Sequence, residues 1–178
     1  LVTGGPGDLY FFCGNGSCFS DNLGFSSSQV FTGLKWSRDS SGISLFIRGG
    51  GSWTQMPTAP VHVDSVLLLE LYANNSATGI TYVHGSSQSL APLTYDLWID
   101  GSLVVNDHAG AGLPDSIDID SFMFYASGSP SNAFTLLLDD LRFTNSVAVQ
   151  PLPVELSAFE ARSRDGCVHL RWKTESEL

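Results

Sequence analysis

Residues 93–144 carry the clearest alternation of apolar and polar positions in the chain. The dipeptide Asp100-Gly101 lies inside the first alternating segment and is a tight-turn sequence, so this segment has the pattern of a half-buried antiparallel hairpin. Two more apolar segments, IDSFMFYASG and AFTLLLDDLRFT, follow as candidate strands. We therefore predict three segments of β-structure here, in which the first is defined by the apolar positions Leu97, Ile99, Leu103 and Val105.

The preceding residues also predict strands. Residues 8–13 form one candidate, and residues 30–36 and 43–48 form a hairpin around the turn sequence SRDSSG. Residues 62–73 read as a long strand, covered on both faces at its apolar centre. NNSATGITYV reads as a loop and a return strand, SSQSLAP as its closing segment, and GGGSWTQMP as a glycine-rich loop. The whole pattern predicts an all-β protein, an antiparallel β-sandwich.

The composition changes after residue 148. Gln150-Pro151-Leu152-Pro153 predicts a stiff connector, because each proline fixes φ and removes a hydrogen-bond donor. Residues 156–161 and 168–172 alternate as a hairpin around Arg164-Asp165-Gly166. We predict a sandwich over residues 1–148, a linker over 149–153 and the first hairpin of a truncated second module over 154–178.

Composition and charge narrow the classes of partner. The hydrophobic content of 43% suffices for a core, and the net charge is −10. Residues 1–150 contain four basic and thirteen acidic side chains, a net −9. Such a chain repels nucleic-acid phosphates and anionic lipids, and its sequence shows no basic patch. No stretch reads as a signal peptide or a membrane span, which leads us to expect a mature or excised fragment without nucleic-acid partners or membrane insertion.

Several stretches carry a family resemblance. YDLWIDGSLV, followed by FMFY and LLLDDLRFTNS, resembles the closing strands of laminin G-like, concanavalin-type jelly-roll domains, whose last strand often carries an acidic pair. GNGSCFSDNLGFSSSQVFTGLKW and LLLELYANNSATGITY resemble earlier strands of that module in large secreted proteins of Bacteroidetes-type bacteria. PLPVELSAFEARSRDGCVHLRWKTESE resembles the entry into the immunoglobulin- or fibronectin-type module that precedes type IX secretion sorting domains. The resemblance implies a jelly-roll fold and an export route, not an activity.

Cys13 and Cys18 flank a glycine-bearing turn. We expect a local disulfide between them, which suits an oxidising compartment; two free thiols are the alternative, since spacing alone does not fix the geometry. A zinc site is disfavoured because Cys167 lies in the tail and no histidine is suitably spaced.

The adjacent acids Asp139 and Asp140 are the candidate metal ligands. Calcium takes six to eight oxygen ligands, and acids at a strand end can supply some of them, here with help from Asp8, Asp21 and backbone carbonyls. We expect any such Ca²⁺ to be structural. The alternative is that one aspartate caps backbone N–H groups and the other is solvated, as we expect for the second acidic cluster: Asp115, Asp118 and Asp120.

Three aromatic residues are candidate ligand contacts. Trp53 follows three glycines and is either a loop anchor packed on the core or an exposed platform for a sugar ring. Tyr82 lies on the predicted return strand. Trp98 alternates with Leu97 and Ile99, which places it in the core or on the outer face of its sheet.

Catalytic patterns are weak. Retaining glucanases of the jelly-roll class need two carboxylates on one strand face, whereas Glu70 is the single glutamate before residue 150 and no second glutamate accompanies Asp64. The chain lacks Gly-x-Ser-x-Gly, His-Glu-x-x-His and phosphate-loop sequences. The remaining enzyme alternative is a lyase that assembles His84, Tyr82 and Arg48 in a groove.

These observations predict a non-catalytic binding or adhesion module of a secreted or cell-surface protein, with a carbohydrate or cell-surface glycan as the ligand and with neighbouring domains in the same polypeptide. A structural spacer beside a catalytic domain is the alternative from another class, and a lyase or hydrolase with a divergent site is the third.

Overall fold

The computed structural model divides the chain into unit 1, Leu1–Val147, and unit 2, Ala148–Leu178. Where the structure describes the chain, its regular structure is β apart from a short 3-10 turn at Ser27–Gln29. The structure describes residues 2–16, 25–57, 61–62, 64–126, 133–144, 156–164 and 167–174. In chain order the strands are β1 (Val2–Gly4), β2 (Gly7–Gly14), β3 (Val30–Asp39), β4 (Gly42–Gly49), β5 (Ser52–Gln55), β6 (Leu69–Asn74), β7 (Ile80–His84), β8 (Ser86–Leu90), β9 (Thr94–Ile99), β10 (Ser102–Ala109), β11 (Ser121–Ala126), β12 (Phe134–Leu136), β13 (Leu156–Arg164) and β14 (Cys167–Thr174).

Two antiparallel sheets face each other in unit 1. The larger has five strands in the order β11-β2-β3-β4-β5, and the smaller has three in the order β10-β9-β6. The hairpin β7–β8 and the pair β1–β12 are separate two-stranded ladders. The predicted class, an all-β antiparallel sandwich, is confirmed; its jelly-roll type stays a prediction.

The core lies between the two sheets because alternate side chains of each strand point inward. Tyr95, Leu97 and Ile99 of β9 are at most 1% exposed. They belong to one cluster with residues of the larger sheet, which buries a full face of each sheet. The buried residues that the larger sheet contributes are Phe31, Leu34, Trp36, Leu45 and Ile47.

The hairpin β9–β10 forms where the sequence predicts it. Ile99 pairs with Ser102 across the turn, and Asp100 and Gly101 have φ of 48° and 74°. Positive φ at both central residues is the geometry that an Asp-Gly turn favours between twisted antiparallel strands. The predicted hairpin β3–β4 and the strands β2, β7 and β11 are also present.

Two predicted strands are wrong in extent. The strand expected over residues 62–73 is reduced to β6, and Val66 and Leu68 before it are 82% and 60% exposed rather than covered on both faces. The strand expected to contain Asp139 and Asp140 ends at Leu136, and residues 137–144 have no regular structure. An apolar run forms a strand only where another strand lies beside it to share backbone hydrogen bonds, and the sequence does not encode that placement.

Two polar or glycine-rich segments form strands that the sequence did not predict. SSQSLAP contains β8, which pairs with β7 from His84–Ser86 to Ile80–Leu90. Trp53 lies in β5 and pairs with Arg48, and is not in a loop. Both strands are edge strands of their ladders, where an apolar side chain at every second position is not required.

Unit 2 contains the predicted hairpin. β13 and β14 pair from Arg164–Cys167 to Leu156–Thr174, with a register shift between Leu156 and Ala158. The pair Arg164–Cys167 is the end of the ladder next to the predicted turn sequence, of which Asp165 and Gly166 lie outside the described residues.

Candidate functional site

The outward face of the five-stranded sheet carries two rows of side chains that cross all five strands. In β2, Leu9 and Phe11 pack against the core, so Tyr10 and Phe12 point to the opposite face. The strand registers extend these two positions across the sheet. One row is Met123, Phe12, Gly33, Arg48 and Trp53, and the other is Tyr125, Tyr10, Lys35, Phe46 and Gln55.

We call five aromatic residues and two cations of these rows the aromatic face. Tyr125 is 51% exposed and Phe12 is 9% exposed, while the other members are partly exposed. The rings therefore form an outward surface. Solvent reaches this surface most readily at Tyr125, on the edge strand β11. The members are Tyr10, Phe12, Phe46, Trp53, Tyr125, Lys35 and Arg48.

Tyr10 lies at the centre of the ring contacts. Its ring centroid is 5.8 Å from that of Tyr125, 5.7 Å from that of Trp53 and 6.1 Å from that of Phe12. Phe12 and Trp53 are 5.9 Å apart. These separations lie in the range of favourable aromatic pairs, so four rings from three strands support one another.

Gly33 creates the space into which Trp53 extends. A methyl carbon at this position would lie 2.9 Å from Phe12 Cδ1 and 3.2 Å from Trp53 Cη2. The Trp53 indole therefore extends from the edge strand β5 towards Phe12. It passes over Gly33, where no side chain obstructs it. The absence of a Cβ at this one position of β3 allows the contact between the edge and β2.

Two cations lie among these rings. Lys35 Nζ is 3.9 Å from the Phe46 centroid and 5.9 Å from the Trp53 ring. Arg48 Cζ is 5.7 Å from the Phe12 ring and 5.8 Å from the Trp53 ring. These are cation–π distances. The sequence showed no basic patch, but the fold brings two basic side chains to the same ring.

Tyr10 is also influenced by a carboxylate at the margin. Partial burial raises the pKa of the Tyr10 hydroxyl, and the charge of Asp8 with its hydrogen bond to Tyr10 raises it further. The hydroxyl thus stays protonated well above neutral pH. Asp8 pairs with Ser37, which pairs with Ser44 in the next row of the same face, so the aromatic face has a polar border.

A second group of polar and aromatic side chains lies on the other sheet, which the hairpin β7–β8 covers. The Tyr82 hydroxyl donates to Asp96 Oδ2 at 2.6 Å and accepts from Trp98 Nε1 at 2.8 Å. Asp96 Oδ1 accepts from the Asp107 backbone N–H at 2.7 Å. Burial raises the pKa of Tyr82, as does its bond to Asp96. We call this group the hairpin cluster: Glu70, Tyr72, Tyr82, His84, Asp96 and Trp98.

The other members hold the hairpin by stacking. Tyr72 stacks on Tyr82 at 3.9 Å and His84 on Trp98 at 3.7 Å between ring centroids. His84 Nε2 lies 2.9 Å from Glu70 Oε2. Asp96 is 1% exposed and its carboxylate is fully hydrogen-bonded, as a buried charge requires. These contacts fix β7–β8 on the sheet.

The structure separates the three predicted ligand contacts. Trp53 belongs to the aromatic face. Tyr82 and Trp98 are 3% and 8% exposed and bond to each other inside the hairpin cluster, so neither forms an exposed platform. The lyase grouping is likewise divided, because His84 and Tyr82 lie on β7 whereas Arg48 lies on β4 of the other sheet.

The predicted metal ligands are not on a strand. Asp139 and Asp140 are exposed, Asp140 has φ of 51°, and its N–H donates to Asp139 Oδ1 at 2.9 Å. Among the described residues no group of three or more His, Cys, Asp or Glu side chains is arranged for a metal ion. Asp21 lies outside the described residues, and calcium binding stays a prediction.

The weaker acidic cluster has a partly structural role. Asp120 Oδ1 accepts from the Gly16 N–H at 3.2 Å and from the Ser121 hydroxyl at 2.7 Å. The Asp118 carbonyl accepts from Asn15 Nδ2 at 3.0 Å. These bonds connect the start of β11 to the end of β2, which orders the edge of the larger sheet.

Cys13 is buried in β2 with a free thiol, and burial raises its pKa to about 12. Cys18, its expected partner, lies outside the described residues. The disulfide therefore stays a prediction.

A shallow depression of about 750 Å³ lies at the open end of the hairpin β7–β8, away from the aromatic face. Its carboxylate, Asp107, accepts from the Ala91 N–H at 2.7 Å and from Thr94 Oγ1 at 3.2 Å. Because Asp107 is committed to these bonds, we assign no binding role to the depression.

Sequence reasoning singled out two members of the aromatic face, Trp53 as a ligand contact and Arg48 only as part of the lyase grouping, and missed the other five. The available signal was the alternation along β2. Tyr10 and Phe12 lie on one face of this strand, and Leu9 and Phe11 lie on the other, against the core. The positions that complete the face come from four other strands, and only the cross-strand register brings them together.

Comparisons with protein-family models, with curated proteins and with solved structures found no match for this chain. In the part of the chain that the structure describes, no helix is long and apolar enough to span a membrane.

Proposed function

We propose that unit 1 is a non-catalytic glycan-binding module of a secreted or cell-surface bacterial protein. The aromatic face carries this proposal. Its rings present negative π-faces, and the axial C–H groups of a pyranose ring carry partial positive charge. A sugar can therefore stack on Trp53 or Tyr125 while its hydroxyls reach the polar side chains at the margin.

The layout of the face suits an extended ligand. Tyr125 and Trp53 belong to β11 and β5, the two edges of the sheet, and Tyr10 contacts both rings. A binding surface of this kind is already organised before the ligand arrives, which lowers the entropic cost of binding. The bacterial and extracellular setting rests on the resemblance of the sequence to laminin G-like modules.

The assignment as non-catalytic is supported by the hairpin cluster. Tyr82 uses its hydroxyl in two internal bonds and His84 is paired with Glu70. Both residues thus have structural partners that account for their positions. A lyase would require the hairpin to leave the sheet and would require Arg48 to be replaced by another cation.

An array of neutral and acidic polysaccharides tests the proposal. We expect the full chain to bind at least one polysaccharide, and Trp53→Ala to weaken that binding at least about tenfold, the loss typical of a central aromatic contact. Tyr125→Ala provides a second variant at an exposed edge position, where loss of the fold is not expected.

Val83→Ala is the matched control, because Val83 is 46% exposed on β7 and lies outside the aromatic face. It should bind as the unchanged chain does. Binding to no polysaccharide would contradict the proposal and favour the structural spacer. Polysaccharide binding that neither Trp53→Ala nor Tyr125→Ala weakens would place the site elsewhere.

A further inference from the structure

We infer that the aromatic face selects glycans that carry carboxylates, so that its ligand class is the polysaccharides containing uronic acids. This inference rests on the proposed function and specifies the substrate class of the same site. It is carried by the position of the two cations beside the rings and by the absence, among the described residues, of a carboxylate paired with either of them.

Basic residues are few, and half of those in unit 1 lie on this face. The first 147 residues contain Lys35, Arg38, Arg48 and Arg142 as their basic residues. Lys35 pairs with Phe46, and Arg48 is two residues further along β4 on the same face. They are thus diagonal neighbours, with Cα atoms about 7–8 Å apart.

Both cations lie at similar distances from one ring. Lys35 Nζ is 5.9 Å from the Trp53 centroid and Arg48 Cζ is 5.8 Å from it. A sugar ring stacked on Trp53 would hold its substituents within reach of both. A carboxylate at C5 could then accept from the Lys35 ammonium or the Arg48 guanidinium in charge-assisted hydrogen bonds.

Neither cation is neutralised by an acid of the described part of the chain. Among the described residues no carboxylate oxygen lies within 4.0 Å of Lys35 Nζ or of the Arg48 guanidinium. Arg48 Nη2 donates to the neutral Ser27 hydroxyl at 3.4 Å, a contact that does not neutralise the guanidinium charge. Asp8, in the adjacent polar row, interacts with Tyr10.

The charge of the rest of the chain favours a uronic acid over nucleic acid. Nucleic-acid binding usually requires neutralisation of several consecutive phosphates, and this face offers two cations on a chain of net charge −10. A uronic acid whose sugar ring stacks on an aromatic side chain needs only one local charge contact for its carboxylate. Most of its binding energy comes from the stacking. The combination of several rings and two cations matches that ligand.

Equilibrium binding to polygalacturonate, alginate and hyaluronate tests the inference, with the methyl ester of each polymer as the uncharged comparison. We expect at least one acid form to bind, and its ester to bind about tenfold more weakly. The double variant Lys35→Gln/Arg48→Gln should lose about tenfold in affinity for the acid form. Lys35→Gln alone, at a partly exposed position, should show part of that loss with the fold intact.

Arg142→Gln is the net-charge control for the single variant Lys35→Gln, since it also removes one positive charge, from an exposed position outside both rows. It should leave binding unchanged. The inference is overturned if esters bind as well as acids, if none of the three acids binds, or if single-stranded poly-U binds with comparable affinity. Binding to neutral glycans that depends on Trp53 would, in that event, leave the proposed function standing.

Discussion

At the scale of single residues, Tyr82 shows how a buried polar group is accommodated. Its hydroxyl is the only link between the Asp96 carboxylate and the Trp98 indole that the described contacts show. Both partners are almost fully buried, so neither can turn to water. Hydrogen bonds to charged groups are stronger than neutral ones, and an unsatisfied buried partner carries a desolvation cost.

We therefore expect Tyr82→Phe to lower the free energy of unfolding by about 3 kcal/mol. Urea denaturation measures this change. Tyr125→Phe is the matched control, because the Tyr125 side chain is 51% exposed and its change should stay within about 0.5 kcal/mol. Equal effects of the two substitutions would show that the Tyr82 hydroxyl does not stabilise the hairpin cluster.

The residue scale is also where sequence reasoning about the site was weakest. Trp53, Tyr82 and Trp98 are all aromatic residues of predicted β-structure or its loops, yet Trp53 lies on an outward face, whereas Tyr82 of the hairpin and Trp98 of the sheet below it bury each other. Alternation gives the side of the strand on which Trp98 lies, but not whether another element covers that side. The covering element is the hairpin β7–β8, whose strand β7 was predicted; its partner β8 is polar and has almost no sequence signal.

At the scale of elements, a single glycine in β3 determines how side chains pack over the outward face of this strand. Gly33 faces the aromatic side between Phe12 and Arg48 in the cross-strand row. The strand would gain β-propensity from any larger residue, so the glycine is explained by the space that Trp53 and Phe12 occupy above it.

We expect Gly33→Ala to lower the free energy of unfolding by about 1 kcal/mol, because overpacking costs more than the gain in strand propensity. Urea denaturation measures the effect, with Gly79→Ala as the control: an added methyl there approaches Leu90 O no closer than 3.4 Å. A Gly33→Ala protein as stable as the unchanged chain would mean that Phe12 and Trp53 adjust freely, and that the aromatic face is not a fixed surface.

Elements with strong local signals were predicted well. The Asp100-Gly101 turn and the strands around it follow from backbone preference and alternation alone. The strand predicted to contain Asp139 and Asp140 was wrong in extent, because the apolar run was taken as one strand whereas, among the described residues, β12 ends at Leu136. A strand needs a neighbour for its backbone hydrogen bonds, and the presence of that neighbour is decided by the fold.

At the scale of the whole sandwich, Tyr95 joins the two sheets. It belongs to β9 of the smaller sheet, is 0% exposed, and donates to the Arg48 carbonyl of the larger sheet at 3.0 Å. Burial raises the pKa of this hydroxyl to about 12 from an ordinary value of 10.0. The folded protein therefore retains a proton that the unfolded chain has already lost between these pH values.

Stability should consequently fall as the pH rises from about 10 to about 12, because the unfolded state then binds fewer protons than the folded state. Tyr95→Phe cannot ionise, so the difference in unfolding free energy between the unchanged chain and this variant should shrink by about 2–3 kcal/mol over that range. Denaturation at successive pH values measures the difference. A constant difference would mean that the folded protein exposes the hydroxyl.

The amino-acid sequence by itself determined the class of this protein: alternation with a period of two, turn dipeptides and the scarcity of helix formers are local properties that favour strands wherever the chain folds. Only the tertiary structure decided which side chains share a surface. Tyr10, Lys35, Phe46, Trp53 and Tyr125 belong to five different strands, and their meeting depends on strand order and register. A shift of one residue in register would turn a strand's outward side chains to the opposite face, so no local pattern could have specified the aromatic face.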